Sequence, residues 1–113
     1  MVVSLIDLER QREAALPPVP VPTSLSDLRG PDEGTVTLPV YLDWSATSSY
    51  DLGIPRRVRS LYEVVLREAK TVDEVSVHLN ARTLAAVWDE LRLPPRIRRA
   101  WEHRFAELGA HGA

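Results

Sequence analysis

Over residues 54–69, Ile54, Val58, Leu61, Tyr62, Val65, Leu66 and Ala69 recur at steps of three and four, the spacing of one apolar stripe on a helix. Pro55 suits a first helical turn, where its missing N–H leaves no bond unmade, and Asp51 lies upstream as a candidate cap. Thr71 with Glu74 makes a capping box for a short helix carrying Val72, Val75 and Leu79. Asn80 caps the next, whose Leu84, Val87, Trp88 and Leu91 share a face. Leu93-Pro94-Pro95 breaks the chain and Pro95 opens a last helix striped by Ile97, Ala100, Trp101, Phe105 and Leu108, with Gly109 placed to end it. The pattern predicts a mainly α fold, a small bundle of about four helices over residues 55–108.

The first half is patterned differently. Ser4 with Asp7 resembles a capping box, and Leu5, Leu8 and Leu16 suit a short amphipathic helix ending near Leu16. Pro17, Pro18, Pro20 and Pro22 fix φ and remove donors, which predicts an extended, semi-rigid spacer. Residues 24–29 read as one more helical turn, stopped by Gly30-Pro31, and residues 31–34 as a turn. From 36 to 44, Val36, Leu38, Val40 and Leu42 alternate with Thr37, Pro39, Tyr41 and Asp43, the period of a β-strand. Pro39 cannot donate to a ladder, so this is an edge strand. Residues 44–50 read as a loop, and Val2-Val3 is the sole candidate partner strand in the chain, so pairing within the chain and pairing with another protein both stay open. The expected organisation is an N-terminal helix, Pro-rich arm and edge β-strand over residues 1–50, followed by a helical domain over 51–113. The arm either wraps a partner or packs back on its own helices.

Composition narrows the chemistry. At 113 residues the chain suits one domain, and 44% hydrophobic with 27% charged residues fits a globular one. It has no cysteine, which excludes disulfides and thiolate chemistry and suits a reducing compartment. The first residues lack the basic and apolar regions of a signal peptide, and no apolar run approaches a membrane span, so the expected location is cytoplasmic. Residues 1–54 hold three basic against eight acidic residues, and residues 55–113 eleven against eight. That split is too mild to demand nucleic acid.

No catalytic constellation emerges. His78, His103 and His111 lack metal-ligand spacing, and Asp73-Glu74 and Asp89-Glu90 diverge around their helices. The scattered glycines form no phosphate loop, and Ser45, Ser48 and Ser49 form no nucleophile elbow. The expectation is no enzyme, no cofactor and no metal. Two basic runs remain, Arg56-Arg57-Val58-Arg59 and Arg96-Ile97-Arg98-Arg99, each opening a helix where cations oppose the macrodipole. Either a partner compensates them, or they are a solvated face with pairs such as Arg98–Glu102 and Arg59–Glu63.

Four stretches carry a family resemblance. Leu38-Pro39-Val40-Tyr41-Leu42-Asp43-Trp44-Ser45, Tyr50-Asp51-Leu52, Leu61-Tyr62-Glu63-Val64-Val65-Leu66-Arg67-Glu68-Ala69 and Leu93-Pro94-Pro95-Arg96-Ile97-Arg98-Arg99-Ala100-Trp101-Glu102 resemble small actinobacterial proteins encoded beside nucleotidyltransferase toxins of the AbiE/MenT kind. The resemblance covers about residues 38–105, and its last block is the most specific. Residues 75–80 depart from it, and the Pro-rich arm lies outside it. It implies an antitoxin that binds a nucleotidyltransferase-like toxin and contributes no catalytic residue. The candidate partner-binding residues are Val36, Leu38, Val40, Tyr41, Trp44, Tyr50, Arg56, Arg57, Arg96, Arg99 and Trp101. The alternative is a small helix-turn-helix DNA-binding regulator over residues 72–91, but Ala81 to Leu91 offers only Arg82, Thr83, Asp89 and Glu90 for reading DNA. Homo-oligomerisation is a third option.

Overall fold

Pro55 at the first position starts helix α1 (Pro55–Glu68), whose Val58, Leu61, Tyr62, Val65 and Leu66 are buried as one stripe. In the computed structural model, which describes residues 18–45 and 48–109, this helix is the longest element. Its start has no side-chain cap. Asp51 instead accepts from the Gly53 N–H at 2.8 Å, closing the bend before the helix. Helix α2 (Val72–His78) is capped by Thr71, which accepts from the Glu74 N–H, and Asp73 and Glu74 place negative charge at its positive end. Helix α3 (Ala81–Val87) is capped by Asn80 through the Thr83 N–H. It tightens into a 3₁₀ turn at Trp88–Glu90. Helix α4 (Pro95–Arg104) follows the Pro94-Pro95 break.

The last helix expected from the sequence is divided. Phe105 leaves the helical conformation (φ −121°, ψ 83°), and a short α5 (Ala106–Gly109) follows. Trp101, Phe105 and Leu108 are all buried in the core on either side of the break. Trp101 lies between Trp88 and Phe105, with ring centroids 6.2 and 5.8 Å away. The indole N–H of Trp88 donates to Glu102 at 2.9 Å, and Arg98 sits 3.7 Å from the same carboxylate. The Trp101 N–H is buried without an acceptor among the described residues.

The described part of the Pro-rich arm does not stand apart. Val19, Val21 and Leu25 pack against the core, and Leu28 is part of it. A 3₁₀ turn at Leu25–Asp27, capped by Ser24, fills the place expected for one helical turn. Beyond it, the Arg29 N–H donates to the Ser76 carbonyl and the Gly30 N–H to the Leu79 carbonyl, both at 2.8 Å. This contact needs glycine, because a Cβ on Gly30 would lie 2.5 Å from the His78 carbonyl carbon. One hydrophobic cluster joins Leu28, Val36, Leu38, Leu42 and Tyr50 to the helices, across the expected boundary near residue 50. The N-terminal helix expected over residues 4–16 lies outside the described residues.

The strand expected over residues 36–44 is corrected. Only β1 (Thr35–Thr37) is extended, and it pairs antiparallel with β2 (Ser49–Asp51), where a loop was expected. Thr35 stands opposite Asp51, Val36 opposite Tyr50 and Thr37 opposite Ser49. Gly34 supplies the positive φ (88°) that leads into β1. After Leu38 the chain turns helically, and the N–H groups of Leu42 and Asp43 both donate to the Pro39 carbonyl. The fold is mainly α with a small two-stranded sheet. No helix among the described residues is long and apolar enough to cross a membrane.

Two substitutions test this packing by urea unfolding. Glu102→Ala strands the buried Trp88 N–H and is expected to cost about 1–3 kcal/mol. Gly30→Ala forces apart the contact with residues 78–79 and is expected to cost about 1–3 kcal/mol as overpacking.

Candidate functional site

The turn at residues 39–43 sorts its side chains by backbone geometry. Leu42 lies four residues after Leu38, so one helical turn returns it to the core, where both are buried. Val40 and Tyr41 point out, 73% and 65% exposed, and Trp44 just beyond is 88% exposed. Of five large apolar side chains exposed among the described residues, these three fall within one loop; Ile54 and Val72 are the others. Single exposed apolar residues are ordinary, but three on one loop are not explained by folding.

Asp43 holds this loop. It is buried, and its carboxylate accepts from the Tyr50 hydroxyl on β2 and from the Ser45 N–H at 2.9 Å. Tyr50 is itself buried, with the Arg57 guanidinium 4.2 Å over its ring. Arg57 also donates to the Ser49 carbonyl at 2.8 Å, so α1, β2 and the loop are tied through one set of side chains. Burial alone raises the pKa of Asp43, but the Tyr50 and Ser45 hydrogen bonds and the Arg57 charge bring it below the ordinary carboxylate value. Tyr50 is pushed up to about 12 by burial and by its bond to Asp43, with Arg57 opposing. These groups form a structural clamp.

The structure divides the eleven residues expected to bind a partner. Val36, Leu38, Tyr50 and Trp101 are buried and belong to the core. Arg57 belongs to the clamp. Arg56 and Arg99 are exposed and Arg96 is half-buried. Arg96 and Arg99 line a shallow depression with Ala100, Glu102 and His103 on α4, away in sequence from the loop. Val40, Tyr41 and Trp44 remain together.

The arginine runs also resolve individually. Arg98 pairs with Glu102 as expected, stacks 5.0 Å over Trp88 and donates to the carbonyls of Trp88 and Leu91, so it caps the 3₁₀ turn. The Arg59–Glu63 pair does not form; Glu63 accepts from the Arg92 N–H at 2.7 Å instead. The expected reading helix of the DNA alternative ends at Val87 rather than Leu91. Among the described residues, no group of three or more His, Asp or Glu side chains is arranged to hold a metal. His78 bonds the Glu74 carbonyl through Nδ1.

Asp43 was expected on the outer face of a strand; its Asx-turn to the Ser45 N–H uses only the backbone of residue 45, and the residue type there carries no signal for it.

No family model, curated protein or solved structure matches the chain.

The clamp has a pH signature. Because the folded pKa of Asp43 lies below its ordinary 3.8, its contribution to stability is complete above that value and is lost as pH falls through the folded pKa. Tyr50 acts oppositely: its contribution is complete below the ordinary 10.0 and is lost as pH rises toward about 12. Asp43→Asn is expected to flatten the acid limb of a stability–pH curve measured by urea unfolding. Tyr50→Phe, which removes one partner of a buried bond, is expected to cost about 1–3 kcal/mol at neutral pH.

Proposed function

We propose that this chain is a protein-binding module that docks its partner through Val40, Tyr41 and Trp44. The observation that carries this reading is the exposure of these three side chains on a loop whose own backbone is clamped by Asp43 and Tyr50. Aromatic side chains on a pre-ordered loop suit a binding hot spot, since they bring large contact area with little conformational entropy left to lose. The family resemblance supplies the partner class, a nucleotidyltransferase-like toxin that the chain neutralises by protein–protein contact as an antitoxin. DNA binding by a helix-turn-helix has weaker support, because Arg57 and Arg98 are engaged within the protein and α3 is short.

The test is a binding titration of the full chain against such a toxin. Tyr41→Ser with Trp44→Ser, both at exposed positions, is expected to weaken binding by roughly 30-fold or more while leaving the unfolding curve unchanged, as loss of two hot-spot aromatics implies. Unchanged affinity and unchanged toxin neutralisation in this variant would sink the docking assignment.

A further inference from the structure

The two edges of the hairpin are not equivalent. The Leu38 N–H donates to the Ser48 carbonyl at 3.0 Å and the Leu52 N–H to the Gly34 carbonyl at 2.8 Å. Bonded pairs alternate along an antiparallel ladder, so Val36 and Tyr50 are the bonded pair between these two. The backbone N–H and C=O groups of Thr35, Thr37, Ser49 and Asp51 therefore point away from the ladder. On the β2 side the outward carbonyls are occupied: that of Ser49 accepts from Arg57 at 2.8 Å and that of Asp51 from the Ile54 N–H at 3.1 Å. Helix α1 also packs against β2. On the β1 side, the outward backbone groups of Thr35 and Thr37 make no hydrogen bond among the described residues, and both residues are exposed.

A free edge is a template for another strand, and proteins ordinarily blunt it with charge, proline or a bulge. Within β1 none of these is present: its sequence is Thr-Val-Thr and its register with β2 is unbroken. Pro39 lies beyond its end.

We propose that β1 pairs with β1 of a second copy of this chain, antiparallel about a two-fold axis at Val36, so that the two hairpins join into one continuous sheet. Val36 is committed to β2, so only outward residues can pair across the axis, and centring it on Val36 is the register that uses both threonines of each β1. Thr35 of one protomer then stands opposite the partner's Thr37, and each outward N–H and C=O meets its complement. Facing threonines are a favourable cross-strand pair, and in this register Glu33 falls opposite the partner's Pro39, so no like charges meet. The edge is self-complementary, as a two-fold interface requires. Because the strands run antiparallel, the two loops bearing Val40, Tyr41 and Trp44 project from opposite ends of the joined sheet. The pairing stands on the hydrogen-bond register alone and holds whether or not those loops dock a toxin.

Sedimentation equilibrium of the full chain from micromolar to millimolar concentration tests it. The molar mass is expected to rise from 12.7 kDa toward twice that value, with the amide exchange of Thr35 and Thr37 slowing in step. Thr37→Pro removes an outward N–H that no intrachain bond uses, and Thr35→Lys with Thr37→Lys sets cations face to face across the axis. Each is expected to hold the protein at 12.7 kDa while near-ultraviolet dichroism of the buried tryptophans is retained; Thr37→Val, which keeps the backbone groups, is expected to dimerise like the parent. Should Thr37→Pro fail to fold, the lysine pair decides. A parent chain that stays monomeric to millimolar concentration overturns the proposal. So does a dimer that persists in the edge variants, including one that is lost only on Trp44→Ser.

Discussion

The hydrogen bond from the Tyr50 hydroxyl to the Asp43 carboxylate joins the two sides of one loop, and the shape of that loop follows from it. A carboxylate leaves water only when its acceptor capacity is filled, and here Tyr50, the Ser45 N–H and the nearby Arg57 charge fill it. With Asp43 held inward beside Leu42, the intervening geometry leaves Val40, Tyr41 and Trp44 in solvent. The apolar residues are outside because the polar one is anchored inside. Few of the described residues invert the usual assignment so plainly, and the inversion is what singles this loop out.

The helical body gives the clamp something to stand on. Arg57 reaches Tyr50 from the first turn of α1, and the rest of α1 is fixed by its buried stripe from Val58 to Leu66. The tyrosine of the next stripe position matters as well: the Tyr62 hydroxyl accepts from the Asn80 N–H at 2.9 Å and so ties α1 to the start of α3. Asn80 in turn caps α3 and donates to the Gly30 carbonyl, which locks the N-terminal segment across the helices. The loop is thus connected to the core by a chain of specific polar contacts laid over one hydrophobic cluster.

Most of the helices were legible in the sequence, because their signals are local. Pro55 and Pro95 open helices and Asn80 caps one, and Thr71 accepts at the start of α2. The hairpin was not. Leu38 and Leu42 are compatible with period two and equally with one helical turn, and Val40 alone distinguishes them by facing out. Ser49-Tyr50-Asp51 carries a single apolar residue, so β2 has no periodicity to read, and its place in the sheet depends on pairing with Thr35–Thr37, distant in sequence. The division of the last helix at Phe105 is likewise not legible, because Trp101, Phe105 and Leu108 keep the spacing of one continuous stripe. The exposure of Val40, Tyr41 and Trp44 follows from the turn that replaces the strand, and the anchoring role of Asp43 depends on where Tyr50 lies.

Backbone order parameters of the amides at residues 40–45 measure most directly whether the clamp pre-orders this loop. In the parent chain they are expected near the value of about 0.85 typical of rigid backbone, falling below about 0.6 in Tyr50→Phe. A parent chain whose loop is already as mobile as that variant, with order parameters below about 0.6, would contradict that pre-ordering.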